Sequence, residues 1–386
     1  MCLLDEIPFW IKIVYHFHGV IQFTCSCKNP SNSLSQFISV LWSFVLFSFY
    51  SFCSVLSFYL FVREIESNLV KVEVIISTAN IFFSLISIVI YFLRRNKLKK
   101  ILKELYEVKT DFSLSAQKDG NNWIKISLFV TVVLNLCCLP NLNKSWMSLY
   151  LILAYYVIPV GMAFLNHLFL SDILEAVRVE FNTINRELER VVNRTDLNLI
   201  FPLTKISKIK QLEESDKTFS ILRIEELSFL HYNLVHQLLQ VLKLFDVTII
   251  ISMVLWFGYV IILTYKFMEP IVDGYLEDLA EILYVTTNLL FYYLWLFILI
   301  STLSRTQREA NKTSVYVHQI WNQYYRKGCL DEKTRHLQLI SVRMLNTKLS
   351  FTARNFFNLD ETFFHTMMAA IVTYMVILVQ FGFRSF

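Results

Sequence analysis

Seven stretches of this chain are apolar over about the length that a helix needs to cross a bilayer, roughly 20 residues. They run from Phe37 to Val62, Val70 to Leu93, Trp123 to Leu139, Trp146 to Leu170, Phe245 to Phe267, Ile282 to Leu303 and Phe363 to Phe383. The third carries Lys125 and stops at Pro140, between the turn sequences KDGNNW and LPNLNKSW. Only 17% of the chain is charged and 55% is hydrophobic, with a mean hydropathy of +0.49. A soluble domain carries about 25% charged residues. The expected fold is therefore all-α: a polytopic membrane protein with seven transmembrane helices.

The basic residues set the expected orientation, because Lys and Arg accumulate on the cytoplasmic side. The loops after the second, fourth and sixth spans hold 27 of them within Arg94–Lys118, Arg178–Lys243 and Arg305–Lys348, before Arg354 is added to the same side. The loops on the other side hold four: Arg63, Lys71, Lys144 and Lys266. The N-terminus is thus expected in the cytoplasm and the C-terminus outside. The sequon Asn143-Lys144-Ser145 falls on the outer side, though Asn193 and Asn311 begin two more on the inner side. Asp5 and Glu6 stand where a cleavable signal has its basic region, so the first span is expected to act as its own insertion signal. The seven cysteines form no paired CxxC motifs and read as free thiols.

This reading divides the chain into a cytoplasmic segment (1–36), spans one to four (37–170), a cytoplasmic helical anchor segment (171–244), spans five and six (245–303), a second cytoplasmic helical segment (304–362), and the seventh helix with a short outer tail (363–386). In the first anchor segment, Leu174, Val177, Phe181, Ile184, Leu188 and Val191 recur at spacings of three and four. Leu227, Leu230, Leu234, Leu238 and Val241 repeat the pattern. The stretch between, DLNLIFPLTKISKIKQLEESDK, reads as irregular, and Val315 to Leu345 as a third amphipathic segment leading to span seven. Two readings fit the stripes: packing within one chain, or a bundle joining several subunits.

No catalytic signature is present: no HExxH, GxSxG, Walker A or GxGxxG. No enzyme activity, cofactor, metal or nucleic acid is expected. His231 and His236 read as surface residues, and His167 and His365 as packing or interfacial ones. Ser48, Ser51, Ser54 and Ser57, every third residue of span one, read as a helix-packing surface.

One stretch does not fit a purely lipid-facing helix. TYMVILVQF, Thr373 to Phe381, places a hydroxyl, a phenol and a primary amide in an apolar run. Gln380 reads either as a helix-to-helix hydrogen bond or as part of a pore. Thr373, Val376 or Ile377, and Gln380 share one stripe of a helix. Around a symmetry axis they would line a narrow path, with an amide ring at the outer end and an apolar level at Ile377.

The motif resembles the C-terminal signature of insect gustatory receptors at Thr373, Tyr374, Gln380 and Phe381. The preceding LSFTARNFFNLDETFF, with Phe351, Ala353 and Phe357, is similar to that family's lead-in. The resemblance implies a ligand-gated, non-selective cation channel in the plasma membrane. It implies a homotetramer, or a heteromer with related receptors, whose seventh helices line one pore. Thr373, Ile377, Gln380 and Phe381 would form the pore and gate, and the cytoplasmic ends of spans four to seven a shared anchor. A small-molecule tastant would bind among the outer halves of spans two to six, with Asn80, Asn135, Tyr155, Trp256, Tyr259, Tyr284, Asn288 and Tyr292 as candidate contacts. The chain looks similar to divergent members associated with bitter or contact cues. The alternatives are an auxiliary or co-receptor subunit, or a G-protein-coupled receptor, which requires the opposite orientation.

Overall fold

The computed structural model describes residues 33–64, 68–111, 158–200, 207–273, 279–326, 331–354 and 356–382. The expected third span and the start of the fourth lie outside the described residues. Within them are seven helices: α1 (Ser33–Glu64), α2 (Asn68–Asp111), α3 (Ile158–Ile200), α4 (Ser207–Asp273), α5 (Leu279–Arg326), α6 (Glu332–Asn346) and α7 (Glu361–Gly382). Between α6 and α7 a small antiparallel hairpin pairs β1 (Thr352–Ala353) with β2 (Phe357–Asn358). The chain is helical as expected, apart from this hairpin. By length and composition, Ile221–Met268 of α4 and Ile282–Arg326 of α5 suffice to cross a membrane, while Val40–Phe52 and Glu361–Ile377 are shorter apolar runs.

The long helices reach well past a bilayer. With 67 residues, α4 extends about 100 Å, against a hydrocarbon core of about 30 Å. The surplus length of α3, α4 and α5 forms a second tier of the bundle. The heptad-like stripes hold that tier together. Leu174, Val177, Phe181, Ile184 and Leu188 of α3 are buried, and so are Leu227, Leu230, Leu234, Leu238 and Val241 of α4. They belong to one continuous core with Leu303, Ala310, Val317 and Ile320 of α5. The stripes are thus satisfied inside a single chain, and contacts between subunits would have to use other faces.

Polar ties lock the helices in register. The Asn185 amide donates to the Glu309 carbonyl at 2.9 Å and accepts from the Thr313 hydroxyl at 2.7 Å. Thr306 of α5 donates to the Leu174 carbonyl at 3.3 Å. The α1 and α2 pair has its own small core of Leu46, Tyr50, Ile81 and Ile88.

The structure refines or corrects four sequence expectations. The amphipathic segment Val315 to Leu345 is divided between two helices: α5 continues unbroken to Arg326, and α6 begins afresh at Glu332, capped by Asp331. The stretch read as irregular is helical up to Ile200 and again from Ser207. Of the serine stripe, Ser48 is exposed and Ser51 half-buried, the side chains of Ser54 and Ser57 lie outside the described residues, and the α1–α2 contact within the chain uses Leu46 and Tyr50. His231 does not sit on the surface. Its ring lies 5.3 Å from that of Phe181, and Nε2 donates to the Ala310 carbonyl at 2.9 Å. Burial pushes its pKa below the usual histidine value.

Two expectations follow. Leu234→Ala should destabilise the purified chain by about 2–5 kcal/mol, seen as a lower melting temperature, while Leu239→Ala on the exposed side should stay within about 0.5 kcal/mol. Because the folded state resists protonating His231, the stability it contributes is present above the unfolded histidine pKa of about 6.5 and is lost as pH falls below it. His231→Gln should flatten the melting-temperature profile between pH 7.5 and 5.5. An unchanged slope would show that other groups carry it.

Candidate functional site

α7 is an apolar helix with two unequal faces. Ile371 and Met375 are buried, and Phe363, Phe364, Met367 and Met368 pack on the core. Ring contacts seat it on its neighbours: Tyr374 with Phe257 of α4 at 5.8 Å, and Phe364 with Phe297 of α5 at 6.1 Å. The other face, Thr366, Ala369, Thr373, Ile377 and Gln380, is exposed. These positions follow spacings of three and four, hence one stripe. The Thr366 and Thr373 hydroxyls donate to the carbonyls of Thr362 and Ala369, at 2.9 and 3.0 Å. Their hydrogens are thereby committed to the helix, and oxygen lone pairs remain to face outward. Gln380 is exposed and makes no hydrogen bond to another helix among the described residues. Phe381 continues the helix, but its side chain lies outside the described residues.

The inner end of α7 is firmly held. Asp360 caps it, accepting from the Phe363 amide at 3.0 Å and from the Thr362 hydroxyl, which keeps its carboxyl below the usual range. The Phe357 ring of β2 stacks on Phe363 with centroids 4.5 Å apart and planes 3° from parallel. Arg308 of α5 reaches Glu361 at 3.1 Å. The hairpin is tied down in turn. The Asn311 amide donates to the Leu349 carbonyl at 3.0 Å and accepts from its N–H at 2.8 Å. Arg354, at a left-handed φ of 48°, donates to Asp246 of α4 at 3.1 Å. Few L-residues tolerate that backbone region.

Deeper in the bundle, α3, α4 and α5 meet in an aromatic cluster. Trp256 donates its indole N–H to the Tyr292 carbonyl at 2.7 Å, and the Tyr259 and Tyr292 rings stack at 5.5 Å. Trp295 donates to Nδ1 of His167 at 3.1 Å, and Nε2 of His167 meets the Ser252 hydroxyl at 2.9 Å. Ser252 donates onward to the Ile249 carbonyl at 2.9 Å. One proton arrangement satisfies all of these bonds: a neutral imidazole with its hydrogen on Nε2. A cavity of about 10 Å³ remains, lined by Ala163, Ser252, Leu255, Trp256, Tyr259, Tyr292 and Trp295. That is about the space of one water molecule.

Three of the eight residues nominated for ligand contact, Trp256, Tyr259 and Tyr292, therefore converge on one cavity. Asn288 is buried, with its amide donated to the Tyr284 carbonyl of its own helix at 2.9 Å, and Tyr284 is half-buried against the core. Asn80 lies on α2, its side chain outside the described residues, as are Asn135 and Tyr155 altogether. Trp256 and Tyr292 stand near the midpoints of the expected fifth and sixth spans. Sequence reasoning missed His167, Ser252 and Trp295. The signal was the series Ser252, Trp256, Tyr259, at offsets of four and three on one helix face, and the offset of three between Tyr292 and Trp295.

Comparison with known proteins places the chain. A model of the family described as 7tm Chemosensory receptor matches residues 13–385. The putative gustatory receptor 28b of Drosophila melanogaster is 20% identical over 220 residues, 54% of this chain and 46% of that protein. The chain thus aligns with about half the length of that relative. The fold is similar to the insect olfactory receptor OR5 from Machilis hrabei, with a TM-score of 0.69 at 13% identity over 98% of each chain. It is likewise similar to the same receptor in complex with eugenol, with a TM-score of 0.65 at 13% identity, over 96% of this chain and 97% of the other. The chain is a non-enzymatic, multi-pass membrane protein and belongs to the 7tm chemosensory receptor family.

Proposed function

We propose that the chain is a gustatory receptor that works as a tastant-gated, non-selective cation channel. The observation that carries this reading is the outward stripe of α7. An amide and two threonine oxygens on an exposed face would be costly in lipid. Copies of α7 around an axis give those groups a common aqueous path instead. In a homotetramer, or a heteromer with related subunits, Gln380 supplies a ring of neutral amides and Thr373 a ring of oxygens. Neither carries a fixed charge, which suits partly hydrated cations of more than one kind. Ile377, between them, gives an apolar level that closes by dewetting. Phe381 follows directly at the outer end.

The excess of 27 basic residues over four supports an inner N-terminus and an outer C-terminus in the plasma membrane. The tiers formed by 171–244 and 304–362 then lie in the cytoplasm as the anchor. The aromatic cavity of Trp256, Tyr259 and Tyr292 is the proposed ligand site. OR5 is solved with eugenol, and an aromatic-framed cavity suits a ligand of that kind. At about 10 Å³ it admits such a molecule only when α3, α4 and α5 part. α7 rests on two of those helices, so their movement reaches the pore stripe directly. A bitter or other contact cue is the proposed stimulus.

Gln380→Ala should change conductance, ion selectivity or basal opening while surface expression stays intact. Lost expression with unchanged currents would return Gln380 to a packing role. An epitope placed after Phe386 should label intact cells. Labelling only after permeabilisation, with the protein at the surface, would reverse the orientation and remove the pore assignment. Current that appears only with a second chain would identify an auxiliary subunit.

A further inference from the structure

One set of buried groups is not explained by packing or by the aromatic cavity. The Ser87 hydroxyl of α2 and both polar atoms of the Asn166 amide of α3 are fully enclosed and make no hydrogen bond. The Tyr91 hydroxyl of α2 is enclosed too. It lies near the Thr248 side chain, whose own hydrogen is donated to the Phe245 carbonyl at 2.8 Å and whose oxygen keeps a lone pair for it. A buried amide with neither donor nor acceptor satisfied is rare, because desolvation is then uncompensated.

These groups share one level of the bundle. The rings of Tyr91 and Phe169 both lie against Phe245 of α4, at 5.6 and 6.2 Å. Ser87 precedes Tyr91 by one turn of α2, and Asn166 precedes Phe169 by nearly one turn of α3. In the seven-span reading both helices run inward, so both residues stand one turn outward of the Phe245 contact. Long side chains on a helix lean toward its N-terminus, which brings the Tyr91 hydroxyl up to the same level. Ala163, in the wall of the aromatic cavity, precedes Asn166 by nearly one turn of the same helix.

We infer that Ser87, Tyr91 and Asn166 form a buried subsite for a neutral hydrogen-bonding group, either a water molecule or the hydroxyl or carbonyl of a bound small molecule. The second source rests on the receptor reading above; the first does not. The chemistry of the subsite selects against cations. No carboxylate lies among Ser87, Tyr91, Asn166 and their polar neighbours Thr248 and Ser252. The charge one turn further in is the guanidinium of Arg94, held by the carbonyls of Lys243 and Leu244 at 3.0 and 3.1 Å. An ammonium group would enter without a counter-charge and against a like one. An amphipathic ligand would thus place its apolar body among Trp256, Tyr259 and Tyr292 and its neutral polar end toward Asn166.

The test uses the full chain in lipid nanodiscs and needs no channel activity. X-ray hydroxyl-radical footprinting generates radicals from bound water. Tyr91 should be modified severalfold faster than the equally buried Phe83, and Asn166→Leu should abolish that excess. The probes are 2-phenylethanol, ethylbenzene and 2-phenylethylammonium, which share a ring and differ in the terminal group. Protection of Tyr91 by the alcohol at about tenfold lower concentration than by the hydrocarbon identifies a ligand group as an occupant. Strong labelling that no probe alters assigns the subsite to water. Background labelling of Tyr91 together with a raised melting temperature in Asn166→Leu would overturn the inference, as would equal protection by the ammonium probe. A positive footprint in a chain that passes no current would separate this subsite from the channel proposal.

Discussion

The apolar stripes that join α3, α4 and α5 beyond their expected spans are the constraint on which the other features hang. A helix of about 100 Å cannot stay straight or in register through lipid packing alone, because lipid tails offer no preference for one helix face over another. In water the preference is strong. Phe181, Ile184, Leu188, Leu234 and Leu238 remove one another from solvent, and that fixes the rotation of all three helices. Once rotation is fixed along the stripes, it is inherited by the rest of each helix, since the helices are continuous. Trp256, Tyr292, Trp295 and His167 meet for that reason.

The polar contacts then add selectivity of register rather than bulk stability. Asn185 satisfies its amide against α5 alone, and a shift of one turn would leave it buried and unpaired. The pairing of Asn311 with both backbone groups of Leu349 does the same for the chain entering the hairpin. Such paired groups contribute modestly when made and cost more when broken. They make wrong packings expensive, which is what a structure with few layers and long helices requires.

Much of this was legible in the sequence, and the reason is periodicity. The stripe residues of α3 and α4 are buried position by position, because spacing alone says which side chains share a face. The outward placement of Thr373, Ile377 and Gln380 follows from the same rule. What the sequence hid depends on distance along the chain. His167 looked isolated, because its partners Ser252 and Trp295 lie 85 and 128 residues away. His231 looked exposed, because its carbonyl partner sits on another helix, 79 residues on. The break between α5 and α6 was concealed by an amphipathic pattern that continues across it. Asn80, Asn135 and Tyr155 remain expectations of sequence alone.

The stacked pair Phe357 and Phe363 gives α7 a mechanical character. Its inner end is clamped by that stack, by the Asp360 cap and by the Arg308–Glu361 pair, while its outer end has no comparable tie among the described residues. A rod held at one end amplifies angles into displacements. Over 22 residues α7 is about 33 Å long, so a tilt of about 5° at the clamp carries its far tip roughly 3 Å, close to the diameter of a water molecule. Ångström-scale repacking among α3, α4 and α5 is therefore geared, through this fulcrum, to movement of the far end of α7.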